Sequence, residues 1–122
     1  MLAERAITSQ FNRIRRICDR FPEVEVRSRE HHGFLVRGKR FASYLIDYRG
    51  DGRVALQCKA ERGVNGSLVA SDPGHFFLPA YMAHHGWIGI YRDRGPVDWG
   101  ELEVFLCDAY RLAAPKTLAR MV

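Results

Sequence analysis

The stretch FFLPAYMAHHGWIGIY, residues 76–91, organises the rest of the chain. It opens with an apolar pair, passes through Pro79 and a double histidine, and ends in Gly86 and Trp87 before an alternating Ile-Gly-Ile-Tyr pattern. Alternation of this kind is typical of a half-buried strand. A proline-aromatic turn that leads one of only two tryptophans into a strand therefore predicts a segment that builds the core.

The size and composition predict one soluble globular domain covering residues 1–122. A chain of 122 residues has the commonest domain size and buries about two-thirds of its unfolded surface, so it needs no disulfide or metal to fold. Its apolar content of 47% and charged content of 27% are ordinary for this class.

The sequence also predicts a cytoplasmic protein without a membrane partner. No apolar run approaches the roughly 18 residues that a membrane span needs. Glu4 and Arg5 lie where a signal peptide would be apolar. The three cysteines, Cys18, Cys58 and Cys107, are odd in number and far apart, which favours reduced, buried thiols.

The net charge of +5 is concentrated in the N-terminal third of the chain. Residues 1–40 contain ten Lys or Arg against five Asp or Glu, whereas residues 41–122 contain nine of each. A basic surface attracts polyanions, although many proteins that bind none also carry one. Charge alone thus makes nucleic acid one candidate partner.

Residues 3–20 have the apolar spacing of an amphipathic helix that ends before Pro22. Its arginines fall opposite the apolar face: Arg5, Arg13, Arg16 and Arg20. This stripe is either a solvated surface or a row of cations along a phosphate backbone.

A meander of antiparallel strands is predicted over residues 24–59. The segment Arg37–Arg40 is expected to form a type II′ hairpin turn with three cations at its tip. A second glycine-containing hairpin is expected at Arg49–Arg53, after which Val54, Leu56 and Cys58 should point inward. Basic hairpin tips of this kind have two interpretations: they increase solubility, or they are wings that contact a nucleic-acid duplex.

The C-terminal part is predicted to contain one long helix. Residues 63–72 are ambiguous because two glycines weaken a helix there. Asp98 followed by Glu101 has the spacing of a capping box. The predicted apolar face of this helix comprises Leu102, Phe105, Leu106, Ala109, Leu112 and Ala113. Pro115 should end the helix and leave Lys116 in a tail.

Motifs that would indicate an enzyme are weak. Adjacent histidines on a strand point to opposite faces, so His31-His32 and His84-His85 each offer one ligand to a metal site, and no HExxH or CxxC spacing is present. No phosphate-binding loop fingerprint occurs. The sequence therefore predicts no metal, no cofactor and no catalytic residues.

Four segments, in order along most of the chain, resemble the MmcQ/YjbR-like proteins. These are the hairpin 33–42, the strand 53–59, the Pro79-Ala80-Tyr81 turn with Gly86–Ile90, and the closing helix with Asp98-Trp99 and residues 108–116. Two positions depart from the pattern: Ala109 stands where a serine is expected, and Thr117 where a base is common.

The resemblance implies an α+β fold in which N- and C-terminal helices pack on one face of a single antiparallel sheet. It also implies a double-wing relationship to a phage transcription-factor domain, from which the DNA-binding description of the family comes. The expectation is a small non-enzymatic DNA-binding protein whose cations contact phosphates. The candidate contacts are Arg37, Lys39, Arg40, Lys59 and Lys116.

Two alternatives stay open at this stage. One is a small-molecule or peptide pocket formed by Tyr81, His84, His85 and Trp87. Tyr81 and Trp87 are interpreted first as core or pocket-wall residues and second as stacking platforms. The other is an enzyme that uses a histidine of this segment. If the hairpin cations and the helix arginines share one open face, nucleic acid is favoured; if they scatter, the pocket is favoured.

Overall fold

A six-stranded antiparallel sheet lies at the centre of the molecule, in the strand order β1-β2-β3-β4-β6-β5. The structure is a computed structural model that describes residues 1–122. The strands are β1 (Val24–Ser28), β2 (His32–Val36), β3 (Lys39–Ile46), β4 (Val54–Cys58), β5 (Phe76–Phe77) and β6 (Ile88–Tyr91). The helices are α1 (Glu4–Asp19), α2 (Val64–Ser71), α3 (Trp99–Ala113) and α4 (Lys116–Ala119).

Helices α1 and α3 cover one face of the sheet, which confirms the predicted α+β architecture. Ile14 and Cys18 of α1 and Leu106 of α3 are fully buried in the same cluster as Leu56 and Ile90 of the sheet. Val54, Leu56 and Cys58 all point into this core, as their alternation predicts. None of the helices has the length and apolar character that crossing a bilayer requires.

The first hairpin differs from the prediction in its turn. Val36 pairs with Lys39, so the loop is the dipeptide Arg37-Gly38. Both loop residues have positive φ, 50° and 77°, which is a type I′ turn and not type II′. Lys39 and Arg40 therefore belong to β3, and only Arg37 lies at the tip.

The C-terminal helix is capped as predicted, because the Asp98 side chain accepts a hydrogen bond from the Glu101 amide. Three details of this region were predicted wrongly. Leu112 is 44% exposed, and Tyr110, which the pattern omitted, is fully buried. Lys116 begins the short helix α4, in which Leu118 is buried, because Pro115 ends α3 but permits a new helical turn.

The second face of the sheet carries no long helix, and a row of small or polar residues crosses it. Cα pairing runs from Arg27 to Gly33, Ser43, Gln57, Gly89 and Phe77 in turn, one residue from each strand. The Phe77 ring lies directly over Gly89, where a Cβ would collide with it. This face is therefore covered by individual side chains and by the loop 78–87.

Candidate nucleic-acid interface

A basic concavity of about 500 Å³ lies at the end of the sheet where β3 begins, β4 ends and β6 begins. Its lining consists of Lys39, Arg40, Lys59, Arg62, Met82, His85 and Trp87. The lining residues come from three segments of the chain, 39–40, 59–62 and 82–87, and the four cations come from the first two. No carboxylate lies among the lining residues.

Arg40 is the most closely held of these cations. Its guanidinium lies over Gly33, and its Nη1 donates to Ser43 Oγ at 3.2 Å. A Cβ at Gly33 would lie 2.7 Å from the guanidinium carbon, so the glycine is what lets Arg40 lie flat on the sheet. Arg40 remains exposed on its outer side.

The apolar wall of the concavity is anchored by a buried amide. Trp87 is only 4% exposed. Asn65 of α2 donates from Nδ2 to the carbonyl oxygens of Ala83, at 2.9 Å, and Trp87, at 3.0 Å. Asn65 thereby fixes α2 to both ends of the 83–87 turn, which presents His85 to solvent.

The five predicted phosphate contacts do not form one surface. Lys39, Arg40 and Lys59 meet at the concavity, but Arg37 does not line it. Glu23 accepts from Arg37 Nε at 2.7 Å and from Nη2 at 2.9 Å. This pairing lowers the pKa of Glu23, mainly through the hydrogen bonds from Arg37. Lys116, on α4, also lies outside the concavity.

The arginine stripe of α1 is separated from the concavity by the sheet. Helix α1 packs on the first face, whereas Arg40 pairs with Leu35 and lies on the second. Arg20 is paired with Glu103, and Arg13 lies 4.5 Å from the centre of the Trp99 ring. The predicted continuous surface of hairpin cations and helix arginines is therefore divided. This division argues against nucleic-acid binding by the whole set and leaves only Lys39, Arg40 and Lys59 on one surface.

The cations of the second hairpin are also engaged. Arg53 donates to both carboxylate oxygens of Asp93, at 2.9 and 2.7 Å. Its hydrogen bonds are the main reason why the pKa of Asp93 is lowered. Arg49 lies between Tyr48 and Tyr81, with its Nη1 3.3 Å from the Tyr81 hydroxyl.

The alternative pocket of Tyr81, His84, His85 and Trp87 is only partly assembled. His85 and Trp87 line the basic concavity, but His84 and Tyr81 do not. The His84 and His85 rings contact each other with centroids 3.9 Å apart. Tyr81 is 69% exposed and has φ of 67°, so it is not a core residue, whereas Trp87 is buried as predicted.

A family model described as YjbR matches residues 19–112, which is most of the chain. This chain belongs to the YjbR family. The sequence resemblance to MmcQ/YjbR-like proteins is thereby confirmed. No curated protein matches the sequence.

A solved structure similar to this YjbR-family chain is the crystal structure of the Deinococcus radiodurans protein DR2400, a DUF419 domain. The TM-score is 0.71 at 19% sequence identity, with 91% of this chain and 86% of the other covered. At this identity the likeness concerns the fold.

Sequence reasoning missed Arg62 and Met82, which line the concavity from loops without a recognisable pattern. It also missed Arg92, which is 2% exposed and leaves Nη1 without a hydrogen-bond partner. Burial lowers the pKa of Arg92.

Two of the three thiols of this YjbR-family protein, Cys18 and Cys58, are buried and are poor nucleophiles, whereas Cys107 is only partly buried. Burial raises the pKa of Cys58 to about 12 and also raises that of Cys18. Thiolates, and not thiols, attack electrophiles. No group of three or more His, Cys, Asp or Glu side chains is arranged to hold a metal ion.

Proposed function

We propose that this protein is a non-enzymatic, cytoplasmic nucleic-acid-binding protein, with DNA as its expected partner, and that it binds phosphates in the basic concavity. The observation that carries the proposal is the convergence of Lys39, Arg40, Lys59 and Arg62 without an acidic residue in the lining. Cations that neutralise phosphates release condensed counterions, which is the main sequence-independent source of affinity for DNA.

The pairing of the other cations supports this choice of site. Arg37 and Arg53 are already bonded to carboxylates, so binding a phosphate would require them to give up a hydrogen-bonded partner. The four lining cations make no ion pair within 4 Å. The proposed contact is therefore the sheet end where β3 begins, and not the two hairpin tips, which lie at opposite ends of β3.

A matched pair of double variants tests the proposal. Lys59→Ala with Arg62→Ala removes two charges from the concavity, whereas Arg37→Ala with Lys116→Ala removes two from outside it. Binding of a labelled oligonucleotide would be measured by fluorescence anisotropy at several salt concentrations. Thermal melts would confirm that both variants are folded.

The concavity variant should bind about tenfold more weakly, since two exposed charge contacts contribute about 0.7 kcal/mol each. Its plot of log K against log salt should be flatter by about 1.4 on a single strand or 1.8 on a duplex. The outer variant should bind nearly as the wild type does. Equal losses in both variants would show that only net charge matters, and would refute the site.

A small anionic ligand is the second candidate. A volume of about 500 Å³ falls in the range of small-molecule sites, and Trp87 and Met82 supply an apolar wall. Mononucleotides that bind as tightly as oligonucleotides would favour this candidate over a nucleic acid.

A further inference from the structure

A second basic concavity, of about 510 Å³, adjoins the first and shares one residue with it. It is lined by Arg27, Arg29, Glu30, His31 and Arg40. Arg40 lines both concavities. It follows Lys39, which lines the first concavity, and its guanidinium lies over Gly33, the residue that pairs with Arg27 of the second. The two concavities therefore adjoin at Arg40.

The two concavities differ in free charge. In the second, Arg27 is bonded to Glu25 at 2.9 Å, and Glu30 contributes an acid to the lining. Arg29 is exposed and has no carboxylate within 4 Å. Arg29 is thus the cation there that a phosphate could reach without displacing a partner.

The length of this path exceeds one nucleotide. Arg29 follows β1 and Lys59 follows β4, so the path crosses three inter-strand spacings, or roughly 14 Å at about 4.8 Å each, before any distance along the strands is added. A stacked strand advances about 3.4 Å along its axis per nucleotide, so 14 Å corresponds to about four nucleotides.

The form of the path suits a flexible chain. A duplex has a persistence length of about 50 nm and stays straight over this distance, whereas a single strand can follow the surface into two separate concavities. A single strand can bend around Arg40. Exposed aromatic side chains beside a basic groove are the usual platforms for its bases, and His85 occupies that position.

We infer that the ligand is a single strand of at least about four nucleotides, which runs from the Lys59 end of the first concavity across Arg40 to Arg29. The inference rests on the proposed function, because it assumes that the first concavity binds phosphates. To that function it adds three points: the nucleic acid is single-stranded, it crosses both concavities, and it contacts Arg29.

The test compares oligothymidylates of two, four and eight nucleotides, and a blunt 12-base-pair duplex, on the wild type and on Arg29→Ala. Arg29→Ala should weaken binding of the eight-nucleotide strand about threefold and leave the two-nucleotide strand unchanged. The duplex should bind more weakly than the eight-nucleotide strand at the same salt concentration.

A second variant moves Arg40 without changing the charge. In Gly33→Ala, the new Cβ occupies the place of the guanidinium, so the variant should lose about threefold in affinity for the eight-nucleotide strand. Gly66→Ala is the matched control, since a Cβ there meets nothing within 4 Å; it should bind as the wild type does.

The outcomes separate the two proposals. If Lys59→Ala with Arg62→Ala weakens every oligonucleotide but Arg29→Ala weakens none, the path is wrong and the proposed function stands. If the duplex binds more tightly than the eight-nucleotide strand, the single-strand assignment is wrong. If Lys59→Ala with Arg62→Ala has no effect, the proposed function itself fails.

Discussion

The two faces of the sheet use the same strands for different purposes. On the helix-covered face, Val54, Leu56 and Ile90 are fully buried under α1 and α3. On the second face, their neighbours along the strands include Gln57 and Gly89, which leave room for side chains to lie across the sheet. Alternation along a strand thus separates the face that the long helices cover from the face on which we propose that ligands bind.

The helix-covered face should show the largest effect on stability. Leu106 of α3 is fully buried, so Leu106→Ala removes apolar contacts and leaves a cavity. We expect a loss of about 2–5 kcal/mol in the free energy of unfolding, measured by urea denaturation. The folded variant should keep the oligonucleotide affinity of the wild type.

Leu112→Ala is the control on the same helix. Leu112 is 44% exposed, so its truncation should cost well under 1 kcal/mol. A similar loss at both positions would contradict the assignment of Leu106, and not Leu112, to the core.

Polar contacts stabilise the second face, and their loss should have a smaller effect that depends on pH. Asp93 accepts from Arg53 and from the Val54 amide, and Arg53 in turn lies 4.0 Å from the centre of the Tyr91 ring. Asp93→Asn should reduce the free energy of unfolding by about 1–3 kcal/mol at pH 7, since it removes the charge from these hydrogen bonds.

The sign of the pH dependence follows from the lowered pKa of Asp93 in the folded protein. The ionised carboxylate stabilises the fold fully above the pKa of the unfolded chain, about 3.9. This contribution is lost as the pH falls through the lower, folded pKa. The difference between the wild type and Asp93→Asn should thus be constant from pH 7 to 5 and shrink below about pH 4, whereas the cost of Leu106→Ala should show no such decline.

Most of the helix-covered face could be predicted from the sequence because its signals are local. The spacing of Ile7, Ile14 and Cys18 and the alternation of Val54 and Leu56 each need only a few neighbouring residues to recognise. The burial of Tyr110 was not predicted, because its hydroxyl donates a hydrogen bond to a residue far away in the sequence, the Pro22 carbonyl at 2.7 Å.

The site could be predicted only in part, because strand pairing and ion pairing decide it. The pattern indicated Lys39, Arg40 and Lys59 individually but carried no information that Arg62 would join them. It could not show that Glu23, fourteen residues before Arg37, would bind that arginine. The type I′ turn, which placed Lys39 in β3, depends on the register of Val36 with Lys39.

Lysine footprinting tests the central claim most directly, because the chain has only three lysines, Lys39, Lys59 and Lys116. All three were predicted to contact phosphates, but only Lys39 and Lys59 line the concavity. Acetylation with and without a bound eight-nucleotide strand would be quantified by mass spectrometry. Protection of Lys39 and Lys59 with Lys116 unprotected is the result that we predict; protection of Lys116 alone, or of none of the three at saturation, would contradict it.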